Sequence, residues 1–223
     1  MNERSHAEAG EHTGRPRVRL IFAALLLVTA ARELFATRGV EVSTREIAST
    51  AGVGIGTLYR HFPSREDLVD AVLADAFDEL VTIAEEALAD TDPLLGFRCF
   101  LERALVLHAR NRGLKDVVET QTHGRARAAA MRARIRQLVA KLVARAQEHG
   151  SLRADFAPQD VALIFWACDR AIELGGAVAP EIWRRQLGFL LDGLKPDAAT
   201  AQLHPPLSEA QLRRVGEAKR RQM

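Results

Sequence analysis

The chain has 223 residues, of which 48% are hydrophobic and only 5% aromatic, with a formal net charge of +2. That length suits one large domain or two small ones sharing a core, and the apolar share is ample for a packed interior. Ala, Leu and Val must fill that interior, which favours helices, and no convincing alternation of polar and apolar residues argues for strands.

Residues 1–14 are polar, rich in Glu and His and without periodicity, so a disordered arm is expected there. Arg15, Arg17 and Arg19 at its end suit contact with phosphate or a minor groove; a merely solubilising tail is the other reading. With the LIFAALLLVTAA that follows, they have the outline of a secretory signal. The apolar run is too short to span a bilayer, and its pattern continues through Leu34 and Phe35. The spacing therefore predicts a first helix from about Val18 to Thr37 that stops at Gly39, in a cytoplasmic protein with no membrane partner.

Ser43–Phe62, STREIASTAGVGIGTLYRHF, reads as a helix-turn-helix. Ser43 and Glu46 have the spacing of a capping box. Ile47, Ala48 and Ala51 share a helical face, Gly52 supplies the turn, and Val53 and Leu58 plug the second helix onto the first. That second helix, Gly54–His61, carries Thr57, Tyr59, Arg60 and His61, groups suited to phosphates and base edges. Between Arg15 and Arg65 the bases Arg15, Arg17, Arg19, Arg32, Arg38, Arg45, Arg60 and Arg65 outnumber Glu33, Glu41 and Glu46. A nearly neutral chain thus concentrates positive charge around the proposed reading head, as attraction to phosphate requires. Ser64 and Asp67 then cap a long helix to about Ala89, with Val69, Leu73, Ala76, Leu80, Ala84 and Ala87 at helical spacing.

The stretches ARELFATRGV, TREIASTAGV, GTLYRHF and SREDLVDAV, in that order and at those separations, resemble the DNA-binding domain of the TetR family of transcriptional regulators. The resemblance covers about a quarter of the chain, from roughly Val18 to Val72. It implies an all-α, TetR-like homodimer: a three-helix reading head at the amino terminus, then a divergent helical domain for ligand binding and dimerisation, about nine helices in all. In that family the helix beginning near Gly54 lies in the major groove. Carried over residue by residue, Ser43, Thr44, Arg45, Tyr59 and His61 hold the DNA backbone. Thr57 and Arg60 face base edges, and Ile55 meets a thymine methyl. Gly54 departs from the family's usual Ser or Thr, so a side-chain contact is lost there.

Beyond the long helix, Asp92-Pro93 opens another that Gly113 closes, and a shorter helix, Leu114–Gln121, follows. On the first of these His108 is in register with Phe97, Leu101, Ala104 and Leu105. A lone inward His is either a hydrogen-bonded core residue or a polar anchor in an apolar ligand cavity. Phe97, Phe100, Leu101, His108 and Trp166 are the candidate effector pocket. Gly124–His149 buries Met131, Ile135, Leu138, Leu142, Val143 and Ala146, and sets Arg127, Arg134, Lys141 and Arg145 along a solvated stripe.

Pro158–Leu174 is apolar nearly all round and Pro180–Leu194 carries a broad apolar face. This surplus suggests a four-helix bundle across a two-fold axis, with Phe165, Ile172, Trp183, Leu187 and Leu191 at the dimer interface and Trp183 as its anchor. Burial within the monomer is the alternative. Asp169 reads as an ion pair at a helix or dimer surface, or as a ligand contact. Residues 196–223 should form a mobile tail with at most a short helix near Ser208–Arg221. The domain boundaries are then 1–14, 15–63, 64–195 and 196–223.

Cys99 and Cys168 read as reduced, buried thiols. No catalytic, metal-binding or cofactor constellation stands out. The expected function is a DNA-binding regulator, a repressor released from operator DNA by a small-molecule effector. An activator of the same fold, or a small-molecule binding protein or enzyme with an incidental helix-turn-helix, remain open.

Overall fold

The computed structural model describes residues 14–120, 126–200, 202 and 204–220, and among them are ten α-helices and no strand. In chain order these are α1 (Gly14–Arg38), α2 (Thr44–Thr50), α3 (Ile55–His61), α4 (Arg65–Ala89), α5 (Pro93–Arg110) and α6 (Arg112–Thr120). They continue as α7 (Ala126–Glu148), α8 (Val161–Gly175), α9 (Ile182–Gly193) and α10 (Glu209–Arg220). The expected arm lies outside the described residues through Thr13. Arg15, Arg17 and Arg19 belong to the first turns of α1. The expected helix ends at Gln121 and Gly124 also lie outside the described residues. No described helix is long and apolar enough to cross a membrane.

Local chemistry sets most helix ends. Gly39 and Gly52 adopt φ of 78° and 68°, the left-handed region in which a Cβ is costly. At α4 the box is complete: Ser64 Oγ accepts from Asp67 N, and Asp67 Oδ2 accepts from Ser64 N at 3.0 Å. Asp92 caps α5 by accepting from Leu94 N and Leu95 N, ahead of Pro93.

Gly113 does not close α5. The helix ends at Asn111, whose N–H donates to His108 O and whose side-chain oxygen accepts from Leu114 N, so one residue caps both neighbouring helices. Gly113 sits inside α6, where a Cβ would come within 2.9 Å of Phe35 Cβ. The glycine is there because α6 lies directly against α1.

One continuous apolar core runs from Leu27 and Phe35 on α1, through Leu58 on α3 and Leu68, Leu73 and Leu80 on α4, to Phe165 and Leu187 on α8 and α9. α4 packs on both α5 and α7, and α8 pairs with α9. The stripe on α7 is solvated as expected but also carries contacts to α4. Arg127 pairs with Asp78 at 3.8 Å, Arg134 with Glu85 at 2.5 Å, and Arg145 donates to the carbonyls of Leu88 and Asp90. Arg127, Arg134 and Lys141 are exposed and Arg145 is half-buried, so the stripe is solvated while three of its members also tie α7 along α4. Amphipathic periodicity shows which side turns away from the core, but not that a neighbouring helix supplies acids along that edge.

Candidate DNA interface and effector cavity

Ser43 begins α2 in extended conformation and accepts from Glu46 N at 3.2 Å. The reciprocal half of the expected capping box is absent: the Glu46 carboxylate engages Arg38 at the end of α1 instead. Ile47 and Ala48 are buried, with Leu58 of α3 fully buried against them. That packing leaves one face of α3 outward. Ile55 is 40% and Tyr59 47% exposed, Arg60 is exposed, and Thr57 is half-buried. The Thr44 hydroxyl lies 3.1 Å from the Tyr59 hydroxyl, tying the first turn of α2 to α3. Arg45 is exposed beside it. His61 is half-buried, with Nε2 enclosed and without a hydrogen-bond partner. Gly54 caps α3 with backbone alone.

The turn between α1 and α2 is gripped from outside the reading head. Asp116 on α6, itself buried, accepts from Val40 N at 3.1 Å, and Arg65 on α4 donates to Val40 O. The neighbouring Lys115 reaches the other way, 3.2 Å from buried Asp169 and 3.4 Å from Glu173, both on α8. Asp169 is thus an ion-pair partner inside the protomer. Burial of both groups makes removal of one partner costlier than the pair is worth.

A cavity of about 270 Å³ lies between α4, α5, α7 and α8, with α10 at its edge. Leu80, Phe100, Ile135, Val139, Phe165 and Trp166 give it an apolar wall, and Val118 of α6 reaches it. His108, 4% exposed, lines it with its ring 4.8 Å from that of Phe165. Of the residues expected there, Phe100, His108 and Trp166 line the space. Phe97 and Leu101 lie in solid core, Phe97 edge-on to Phe156 at 6.0 Å. A more open cleft of about 640 Å³ between α1, α4 and α5 has charged rims and is crossed by the Arg32–Asp75 ion pair.

Residues 27–72 match the family model for bacterial regulatory proteins of the tetR family, and residues 92–196 match the SbtR-like transcriptional regulator C-terminal domain. The chain belongs to the TetR family of transcriptional regulators. It is 29% identical over 187 residues to the HTH-type transcriptional repressor KstR2 of Rhodococcus jostii, an alignment covering 75% of this chain and 89% of that one. A regulator of Mycobacterium bovis is 37% identical over 100 residues, 44% of this chain and 46% of its own. AibR, solved with isovaleryl coenzyme A and operator DNA, shares the fold with a TM-score of 0.60 at 18% identity, over 78% of this chain and 98% of its own.

The residues expected at a dimer interface are placed differently from one another. Trp183 and Leu187 are buried within the protomer, the Trp183 carbonyl accepts from the Cys168 thiol at 3.9 Å, and Phe165 belongs to the cavity wall. Ile172 and Leu191 are half-buried. The apolar groups left outside on α8, α9 and their connection are Leu163, Leu174, Val178, Ile182 and Phe189. Trp183 is therefore packed inside this TetR-family chain and is not exposed as an anchor. Sequence reasoning also missed the cavity residues Arg132, Arg136, Gln159, Glu209 and Leu212. A signal existed for Arg132, which falls in helical register with the inward Ala128, Ile135 and Val139.

Proposed function

We propose that this TetR-family chain is a dimeric repressor, released from a pseudo-palindromic operator when a small molecule enters the cavity lined by Phe100, His108 and Trp166. The observation that carries the reading is the placement of α4. It starts three residues after the reading head's last buried side chain, Phe62, and its own Leu80 lines the cavity. One rigid helix is common to both sites, so a ligand that prefers a different cavity shape re-aims the head. Supporting it on the DNA side are the exposed Ile55, Tyr59 and Arg60, with Thr57 on the same short helix and Ser43, Thr44, Arg45 and His61 around it. The repressor sign follows the Rhodococcus relative. Residues 15–63 act as the head and 64–195 as the sensing and pairing body, in the cytoplasm.

Dimerisation uses the outward face formed by Leu163 and Leu174 on α8 and Ile182 and Phe189 on α9, pairing about a two-fold axis. The two heads then address half-sites about one turn, roughly 34–36 Å, apart.

The test is to recover operator DNA from a random pool and screen metabolites for its release. Calorimetry of the releasing compound with and without operator then follows. A hundredfold release corresponds to about 2.7 kcal/mol of differential affinity, and operator must weaken ligand binding by the same factor. Equal affinities, or turnover of a substrate without any selected DNA, would overturn the reading.

A further inference from the structure

The cavity is walled chiefly by α4, α5, α7 and α8, but two of its lining residues, Glu209 and Leu212, come from α10. The match to the family's C-terminal domain ends at residue 196, so α10 lies outside it. Buried Arg153 pins the chain ahead of α10, donating to Gly193 O at 3.2 Å and to Thr200 O at 2.6 Å. Pro205-Pro206 stiffen the approach. Ser208 then starts the helix with a reciprocal cap: its N–H donates to Gln211 Oε1 at 2.9 Å, and Gln211 N donates to Ser208 Oγ at 3.3 Å. Glu209 pairs with Arg213 one turn on, at 3.8 Å. These bonds lie within the helix and its cap, and travel with it. Against the body α10 packs on α6, yet none of its described residues is buried and only Leu212 among them is half-buried.

We infer that α10 is a hinged lid on this cavity, which swings from the mouth to admit the ligand and returns to close over it, with Leu212 as the latch. The inference rests on the reading of this cavity as the effector site and adds how that site is entered. Glu209 marks the mouth, since it lines the space while its side chain is 62% exposed. Leu212, three residues on, turns an apolar side chain to the same space. The described side chains of α10 make no hydrogen bond or ion pair beyond the helix and its cap. A helix that buries so little apolar surface opens at low cost, as lids over binding sites must. The other walls are fastened. Arg134 and Arg145 tie α7 to α4, and Lys115 ties α6 to Asp169 of α8. Of the helices around the cavity, α10 is therefore the one that can leave without breaking a tie between elements.

The experiment uses the full-length protein and N-phenyl-1-naphthylamine, an uncharged apolar dye that brightens on leaving water. Trp166 lines the cavity and is one of only two tryptophans, so energy transfer from tryptophan reports the dye there. Stopped-flow mixing gives the association rate, and dilution of the loaded protein gives the dissociation rate. Leu212→Ala releases the latch, and both rates should rise about tenfold while the equilibrium affinity changes much less. Ser208→Ala removes the cap without touching the cavity and should raise both rates a few-fold. Arg214→Ala, exposed on the same helix, should change neither. A Leu212 that is merely a wall contact would hasten dissociation alone, so an unchanged association rate in Leu212→Ala overturns the lid while the effector cavity stands. Hydrogen exchange of the unliganded protein is an independent check: α10 amides should exchange well ahead of those of α4, and equal protection overturns the lid as well. Failure of the dye to bind, or binding without transfer from tryptophan, overturns the cavity together with its lid.

Discussion

Arg60 is exposed near the end of α3, beside Tyr59, whose hydroxyl lies against that of Thr44. If it makes a bidentate base contact, Arg60→Ala costs about 1–3 kcal/mol, roughly 5–150-fold in operator affinity. Fluorescence anisotropy on the selected operator checks this, and wild-type binding by the variant removes Arg60 from the reading set. A second residue-scale prediction concerns Cys168, whose thiol is pushed up to about 11, first by burial and then by the charge of Asp169. A raised thiol pKa favours the neutral form, so this contribution to stability is fully present below the ordinary thiol range and is lost as pH rises through about 11. Alkylation near neutral pH should mark half-buried Cys99 well before Cys168, as peptide mass spectrometry would show. Cys168 labelled as fast as Cys99 contradicts the buried environment. The two short helices of the head were legible in the sequence because the Ser43 cap, the Gly52 turn and the Leu58 plug sit at fixed separations. Phe97 and Leu101 were not separable from Phe100 and His108, since periodicity tells inward from outward but not core from cavity wall.

Among the helices, α6 is the short element on which several parts meet. Gly113 touches α1, Lys115 reaches α8, Asp116 holds the α1–α2 turn and Val118 lines the cavity. Asp116→Ala leaves the buried Val40 N–H without its acceptor, a loss of about 1–3 kcal/mol measurable by urea denaturation. Asp116→Asn keeps an acceptor oxygen and should recover much of that loss. Equal stability of the alanine variant and the wild type rules the bond out as a structural tie. Gly113→Ala should also destabilise, because the added carbon meets Phe35 Cβ at 2.9 Å and two packed helices must separate. This part of the chain was misread from sequence for a physical reason. A glycine near a helix end signals a stop, and the same glycine within a helix signals close approach of another; only the neighbour, Phe35, distinguishes them. Ser64, Asp92, Gly39 and Gly52 were legible because their roles are local and need no neighbour.

At the scale of the molecule, the head and the body share one core, and heating should give a single cooperative transition by both tryptophan fluorescence and far-ultraviolet dichroism. Two separated transitions would mean that the heads unfold on their own. In light scattering the wild type should run as a dimer. Phe189→Glu, which places a charge at an exposed apolar position that Arg185 overlies at 4.9 Å, should shift the mass to a monomer with unchanged helix content. A dimeric Phe189→Glu variant would move the interface elsewhere. All-helical architecture and the surplus of apolar surface on the last two long helices were readable in advance. Which of those side chains fold inward within one protomer was not, because burial against self and burial against a copy leave the same hydrophobic pattern. The grip of Asp116 and Arg65 on Val40 also bears on engineering. Transplanting residues 14–63 onto another regulator's body would strand the amide of Val40 unless the recipient offered an acid at the matching place on its sixth helix. In this chain operator preference is not a detachable cassette, and a workable graft has to carry α6 along with the head.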